Sequence, residues 1–244
     1  MWFEDDAFWR DFFAVLFPPE TFEAAAGHLD RALALTDVRA GNALDLACGP
    51  GRYAVPLAQK GLRVTAVDRS AFLLHEARMR AAAAGVEIEF VEHDMRSFVR
   101  PCSFDVVLSL GNSFGYFDDS DDDRRVLSAI HDNLAPGGWV IIDMTCKERE
   151  ARTARDHVSD LPDGAVCVRR NRPVDDWTRQ EHEWLLIRGC VVQRFEFALR
   201  LYSGSELKQL LLETGFVDPV LYGDFDGRPF AGHVNRLVAV ARKG

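Results

Sequence analysis

The stretch "ALDLACGPGRYAVPLA", Ala43–Ala58, decides the fold. Ala43–Ala47 reads as a short buried strand, Gly49 and Gly51 as a turn, and Tyr53–Lys60 as a helix. A glycine turn between strand and helix lets backbone approach a nucleotide. The G-x-G-x-x-G pattern of dinucleotide sites needs a third glycine where Ala54 stands, and only its relaxed form tolerates alanine. No lysine and Ser/Thr pair follows the glycines, so the turn is not a P-loop. Asp45, four residues before Gly49, would repel a pyrophosphate and attract an ammonium.

Outward from this turn the chain alternates strand and helix. Arg63–Asp68 is a strand and Ala71–Ala84 a helix; Glu87–Asp94 and Phe104–Leu110 are strands. A helix follows through Asp121–Leu134, then the turn Ala135–Gly138 and the strand Trp139–Thr145. Apolar runs alternating with helices predict an α/β fold: a Rossmann-like, seven-stranded, mostly parallel sheet with helices on both faces. The rhythm changes at Val166–Asp175, Arg179–Arg188 and Val191–Tyr202, which read as a three-stranded antiparallel insertion. Its last strand alternates Phe195, Phe197, Leu199 and Leu201 against Arg194, Glu196 and Arg200. Ser203 caps a helix to Thr214, and two strands close the chain. Upstream, Phe3–Phe17 reads as one helix stopped by Pro18-Pro19, and Thr21 caps a second with Phe22, Ala25, Leu29 and Leu33 on one face. The expected organisation is a single domain, 1–244. It comprises a helical N-terminal cap (1–38), a cofactor-binding core (40–146), an antiparallel substrate-side insertion (160–203) and a C-terminal helix with strands (204–244).

Composition narrows the function classes. The net charge of −9, from 29 basic and 38 acidic residues, disfavours nucleic acid as a partner, which needs clustered Lys/Arg. The five cysteines include no C-x-x-C, which predicts free thiols and a cytoplasmic setting. The acidic, aromatic start is unlike a signal peptide, and no run approaches the roughly 18 apolar residues of a membrane span. "DDSDDD", Asp118–Asp123, reads as a solvated helix start rather than a metal site. No metal is expected, and self-association is left open.

Open parallel sheets bind ligands beyond the carboxyl ends of their strands. Each strand here delivers polar or glycine residues to that edge: Asp45 to Gly51, Asp68, Asp94, and Leu110-Gly111-Asn112-Ser113. Asp68, seventeen residues beyond Gly51, suits a ribose diol. Carboxylates, rather than basic groups, are expected around the ligand. A ribose, a positive charge and no phosphate describe S-adenosyl-L-methionine.

The sequence resembles the class I S-adenosylmethionine-dependent methyltransferases. "LDLACGPGRYAVPLA" looks like their first motif, "VTAVDRS" the acidic end of strand two, "EHDMRSF" the adenine-contacting turn, and "FDVVLSLGNSFGYF" the fourth motif. "LAPGGWVIID" looks like the turn and strand that follow. The resemblance implies that Gly49, Gly51 and Ala47 bring backbone to the methionine part while Asp45 faces its amino group. It further implies that Asp68 holds the ribose, Arg69 flanks the adenine, Asp94 accepts from the adenine amino group with Met95 against the ring, and Leu110 and Asn112 border the sulfonium. "FEDDAFW", "LGNSFGYF", "LRLYSGSEL" and "YGDFDG" resemble small-molecule methyltransferases of secondary metabolism, including the lincosamide N-methyltransferases. That implies methyl transfer to a nitrogen, or an oxygen, of a small-molecule acceptor in antibiotic biosynthesis. The alternatives are a binder of the same cofactor acting as cyclase or regulator, and a nicotinamide reductase, which Asp45 counts against.

In-line methyl transfer needs alignment and exclusion of water, which can lower a barrier by about 7–11 kcal/mol. The N-terminal helix is the candidate lid, with Trp9 and Phe13 facing inward and Phe117 meeting them. Asp143, ending strand five, is the candidate to orient the substrate or take its proton. His131, His157 and His233 read as incidental.

Overall fold

The computed structural model describes residues 1–153, 155–231 and 234–244; the expectation for His233 lies outside them. The N-terminal segment is not one helix. A 3-10 turn, Trp2–Glu4, leads to α1 (Asp6–Asp11), capped by Asp5, whose carboxylate accepts from Ala7 N–H. α1 breaks at Phe12 before α2 (Phe13–Leu16). The Phe12 ring is completely buried, edge-on to Trp184 and Phe195 at 5.2 and 5.0 Å. Seating that ring overrides helical continuity, which local periodicity cannot show. Next come α3 (Pro19–Glu23) and α4 (Ala25–Ala34). α3 starts with proline at its first position rather than with a Thr21 cap; Thr21 donates its hydroxyl back to Pro18 O.

The α/β series follows: β1 (Asn42–Leu46), α5 (Ala54–Gln59), β2 (Arg63–Asp68), α6 (Ala71–Ala84), β3 (Glu89–Glu92), β4 (Phe104–Ser109), α7 (Ser120–Asn133) and β5 (Leu134–Met144). After it come α8 (Lys147–Thr153), β6 (His157–Asp160), β7 (Val166–Val174), β8 (Arg179–Arg188), β9 (Val191–Arg200), α9 (Gly204–Glu213), β10 (Phe216–Tyr222) and β11 (Leu237–Lys243). Among the described residues the main sheet has seven strands in the order β10-β11-β5-β4-β1-β2-β3. β1 to β5 pair in parallel, and β11 runs antiparallel to both neighbours. Strand order reverses between β1 and β4, which is where such sheets open a crevice for ligands. Two apolar cores cover its faces, one against α4 and α5, the other against α7, α9 and the N-terminal rings.

The insertion is four-stranded, in the order β6-β7-β8-β9, not three-stranded. β6 is a four-residue edge paired antiparallel with β7, too short and polar ("HVSD") to register as a hydrophobic run. The register puts Arg169 opposite Trp184 opposite Phe195, and Asn171 opposite His182 opposite Phe197. Alternation along the strands turns these residues to one face. The N-terminal rings lie on that face: Trp2 stacks on Phe197 at 4.4 Å, and Phe8 meets Phe195 and Phe197.

Candidate active site

The loop after β1 is shaped by left-handed backbone. Ala47, Gly49 and Gly51 have φ of +59°, +54° and +78°. Its amides are tied to the end of β2: Cys48 N–H donates to Val67 O (3.0 Å) and Gly49 N–H to Asp68 Oδ2 (2.7 Å). Asp68 Oδ1 accepts from Ser70 N–H, so this carboxylate organises two loops at once. Burial pushes Asp68 above the usual carboxylate range, and the N–H groups of Ser70 and Gly49 pull it partly back.

A cavity opens there. Asp45, Ala47, Gly49, Asp68, Arg69, Asp94, Met95 and Leu110 line it, together with Trp9 and Phe117. Gly51 does not. A Cβ at Gly51 would stand 3.0 Å from Ala77 Cβ and 3.2 Å from its Cα, so this glycine seats helix α6 rather than a ligand. Asn112 also lies off this cavity, on the wall of a second one. Its Oδ1 accepts from Thr145 N–H at 2.8 Å and stitches the end of β4 to that of β5.

Asp45 is 1% exposed, and its Oδ2 has no hydrogen-bond partner among the described residues. Burial raises it to about 7, against the pull of Arg52. Arg52 is the residue the sequence reading passed over. Its guanidinium lies over the Tyr53 ring, its buried Nε has no acceptor, and it lines the same cavity. A Cβ at Gly111 would fall against the tip of the Arg52 guanidinium, which lies close over this glycine. The expectation that carboxylates rather than basic groups surround the ligand is therefore corrected: Arg52 stands among them, in addition to Arg69, which the resemblance already implied. A carboxylate with a free buried oxygen and a guanidinium with a free buried N–H, both lining this cavity, match the two ends of an amino-acid zwitterion. The signal available in the sequence was an arginine directly after the glycine turn.

The opposite rim is an ionic chain. Arg69 pairs with Glu4 and, at 2.5 Å, with Asp94; Arg96 pairs with Asp94 at 2.6 Å and with Asp122 on α7 at 2.7 Å. Burial opposes ionisation of Asp94, but the hydrogen bonds from Arg96 and the charge of Arg69 hold it below the ordinary range. Arg96 also lies over the Phe117 ring at 4.5 Å, and Phe117 meets Phe3 edge-on at 5.5 Å. Trp9 is buried and donates its indole N–H to Phe3 O at 2.9 Å. Phe13 packs instead on Phe17 and Phe72. Phe117 thus meets Phe3 where Trp9 and Phe13 were expected.

Asp143 lines neither cavity. It is fully buried, chelated by Nε and Nη2 of Arg236, and accepts from Gly111 N–H at 3.0 Å. Both oxygens are engaged, so its position makes it a brace for the β4 turn rather than a proton acceptor for a substrate.

The second cavity lies between the N-terminal rings, α8 and the inner face of the insertion. It shares the walls Trp9, Gly111 and Tyr116 with the first. Its buried polar residues were not foreseen. Glu150 accepts from Gln180 Nε2 at 2.6 Å and pairs with Arg149. His182 is 8% exposed, stacks on Phe197 at 4.7 Å, and meets Asn171 Oδ1 through Nδ1 at 2.8 Å. Burial lowers it to about 4, so the ring is neutral near pH 7. The acidic run is structural: Asp119 caps α7, Asp122 pairs with Arg96 and Arg125, and Asp123 accepts from Tyr202 OH at 2.7 Å. Among the described residues no group of three His, Cys, Asp or Glu side chains is placed to hold a metal ion, and no helix is long and apolar enough to cross a membrane.

The fold and site define a class. Residues 43–138 match the methyltransferase domain family. The "Putative methyltransferase YqeM" of Bacillus subtilis (strain 168) is 31% identical over 209 residues, 83% of this chain and 84% of that protein. The glycine/sarcosine N-methyltransferase of Aphanothece halophytica is 27% identical over 210 residues, 82% of this chain and 75% of that protein. An S-adenosylmethionine-dependent methyltransferase from Clostridium acetobutylicum ATCC 824 superposes with a TM-score of 0.78 at 20% identity, covering 98% of each chain. The chain belongs to the class I S-adenosylmethionine-dependent methyltransferases, and S-adenosylmethionine is its cofactor.

Proposed function

We propose that the protein methylates a nitrogen of a small polar acceptor that enters the second cavity. The observation that carries this reading is the pair of adjoining cavities, with Trp9, Gly111 and Tyr116 between them. S-adenosylmethionine supplies an activated methyl group on a sulfonium. Asp45 would hold its ammonium and Arg52 its carboxylate. Asp68, with lone pairs left beyond its two backbone amides, would accept from the ribose hydroxyls. Arg69, Asp94 and Met95 would border the adenine, while Ala47, Gly49 and Leu110 would shape the wall near the sulfonium. Trp9, Tyr116 and Phe117 would exclude water and hold the acceptor in line with the methyl group. An amine that arrives neutral needs no base, whereas a hydroxyl needs one within hydrogen-bond reach, and Glu150 of the second cavity is already held by Gln180 and Arg149, which supports nitrogen over oxygen. The name of the Aphanothece relative, an N-methyltransferase, agrees with that choice. The resemblance to natural-product methyltransferases points to a secondary metabolite as the acceptor.

The test is incubation with methyl-labelled cofactor and paired small amines and alcohols, following S-adenosylhomocysteine release and label transfer by mass spectrometry. Label on amine nitrogen is expected. Label on hydroxyl oxygen alone, or on macromolecules alone, would overturn the assignment.

A further inference from the structure

The second cavity contains polar groups that the fold leaves without partners. On one cross-strand row, Arg169 of β7 stands opposite Trp184 of β8. Arg169 Nε is buried and unbonded, and so is the indole N–H of Trp184. The guanidinium lies 5.7 Å from the Trp184 ring. No described residue offers Arg169 a carboxylate or a hydrogen-bond acceptor, whereas the other two arginines of this cavity are matched, Arg149 with Glu150 and Arg200 with Asp123. Glu150 is further engaged by Gln180, so its charge is not spare. Arg170, one residue on, faces the other side of the sheet and pairs with Glu183 at 2.9 Å. One row along, His182 meets Asn171 Oδ1 through Nδ1, which fixes the proton on that nitrogen because a carbonyl oxygen only accepts. Its buried Nε2 is left as an acceptor without a donor.

Buried polar groups are almost always satisfied, and a cation with two neighbouring N–H donors and no anion is complementary to an oxyanion. Resting on the reading of this cavity as the acceptor site, we propose that the acceptor carries an oxyanion group, a carboxylate or a phosphate ester. That group sits on Arg169 and Trp184, and a neighbouring N–H or O–H donor of the same molecule meets His182 Nε2. The ladder is pre-formed by strand register, so no rearrangement is needed to present it. The rest of the acceptor extends toward the wall at Trp9 and Tyr116, where the cofactor cavity begins.

The probes are sodium acetate and inorganic phosphate, with sodium chloride at matched ionic strength as reference. They are titrated against the S-adenosylhomocysteine-bound protein while its melting temperature is followed. Wild type is expected to melt higher with at least one of the oxyanions than with chloride. Arg169→Gln should weaken the apparent anion affinity at least tenfold. Arg169→Lys, which keeps the charge but not the fork, should retain part of the response. Arg170→Gln, on the outer face, should retain all of it. A response to acetate alone identifies a carboxylate, and one to phosphate alone a phosphate ester. No response in wild type, or an equal one in Arg169→Gln, overturns the inference. Direct titration of S-adenosylhomocysteine into each variant separates the two readings. If the nucleoside binds and the oxyanions do nothing, only this inference fails. If the nucleoside does not bind, the cofactor assignment fails first.

Discussion

Asp45 makes cofactor affinity a function of pH. Its carboxyl is 1% exposed, has an orphaned oxygen, and is raised by burial to about 7. An acid raised in the folded state holds its proton more tightly there than when unfolded. Ionising it therefore costs stability progressively as pH rises from 3.8 toward about 7. A shift of that size corresponds to about 4 kcal/mol in the protein without ligand. A cofactor ammonium beside Asp45 selects the ionised form, so binding below pH 7 must expel a proton. The ionised fraction then governs affinity, which should fall about fivefold from pH 7 to 6 and about tenfold from pH 6 to 5. Above roughly pH 8 the ligand's own α-amino group loses its proton and affinity declines again. Calorimetric titration in buffers of different ionisation enthalpy, at pH 5.5 and 7.5, reads both the affinity and the proton released. Asp45→Asn should bind more weakly at pH 7, lose most of the acid limb, and melt higher than wild type at pH 8 without ligand. His93 lies on the rim of the same cavity, so His93→Gln serves as control. An acid limb that Asp45→Asn leaves unchanged, or the absence of proton release at pH 5.5, would refute the reasoning.

Arg52→Ala should cost about 1.5–3 kcal/mol of cofactor binding, the worth of a charge-assisted hydrogen bond, with little change in melting temperature; calorimetry and thermal melting together read this. Gly51→Ala should do the reverse, leaving the cofactor wall intact. Its Cβ meets Ala77 and its φ is +78°, so a loss of about 1–3 kcal/mol and a melting temperature lower by several degrees are expected in scanning calorimetry. Arg236→Ala strips a fully buried Asp143 of its partner and should destabilise by about 3 kcal/mol in denaturant titration, while Arg236→Lys recovers part of the loss.

Much of the lining of the first cavity was legible in the sequence because its elements are local. A strand, a glycine turn and a helix occur within the Ala43–Ala58 stretch, and Asp45, Asp68 and Asp94 each end or border a hydrophobic run. Periodicity sees such runs, and strand ends in a parallel sheet share one edge. The second cavity was not legible, because its residues meet only through tertiary register. Arg169 and His182 sit in strands whose inward and outward faces both carry charge or polarity, so alternation alone did not single them out. Asp143 was read by position at a strand end, while its half-buried partner Arg236 lies 93 residues away. Phe12 broke a helix that its own spacing extends, since the rings it packs on, Trp184 and Phe195, belong to the distant sheet.

The crowding of indoles around the two cavities has a practical consequence. Trp2, Trp9 and Trp184 all line the second cavity, and Trp9 reaches the first as well. Trp139 sits apart, bonded to Asp37, and Trp177 is exposed. The protein therefore carries built-in optical reporters. Emission from the three clustered indoles is expected to change as the site fills, and Trp177, 41% exposed, should be open to quenching by dissolved iodide.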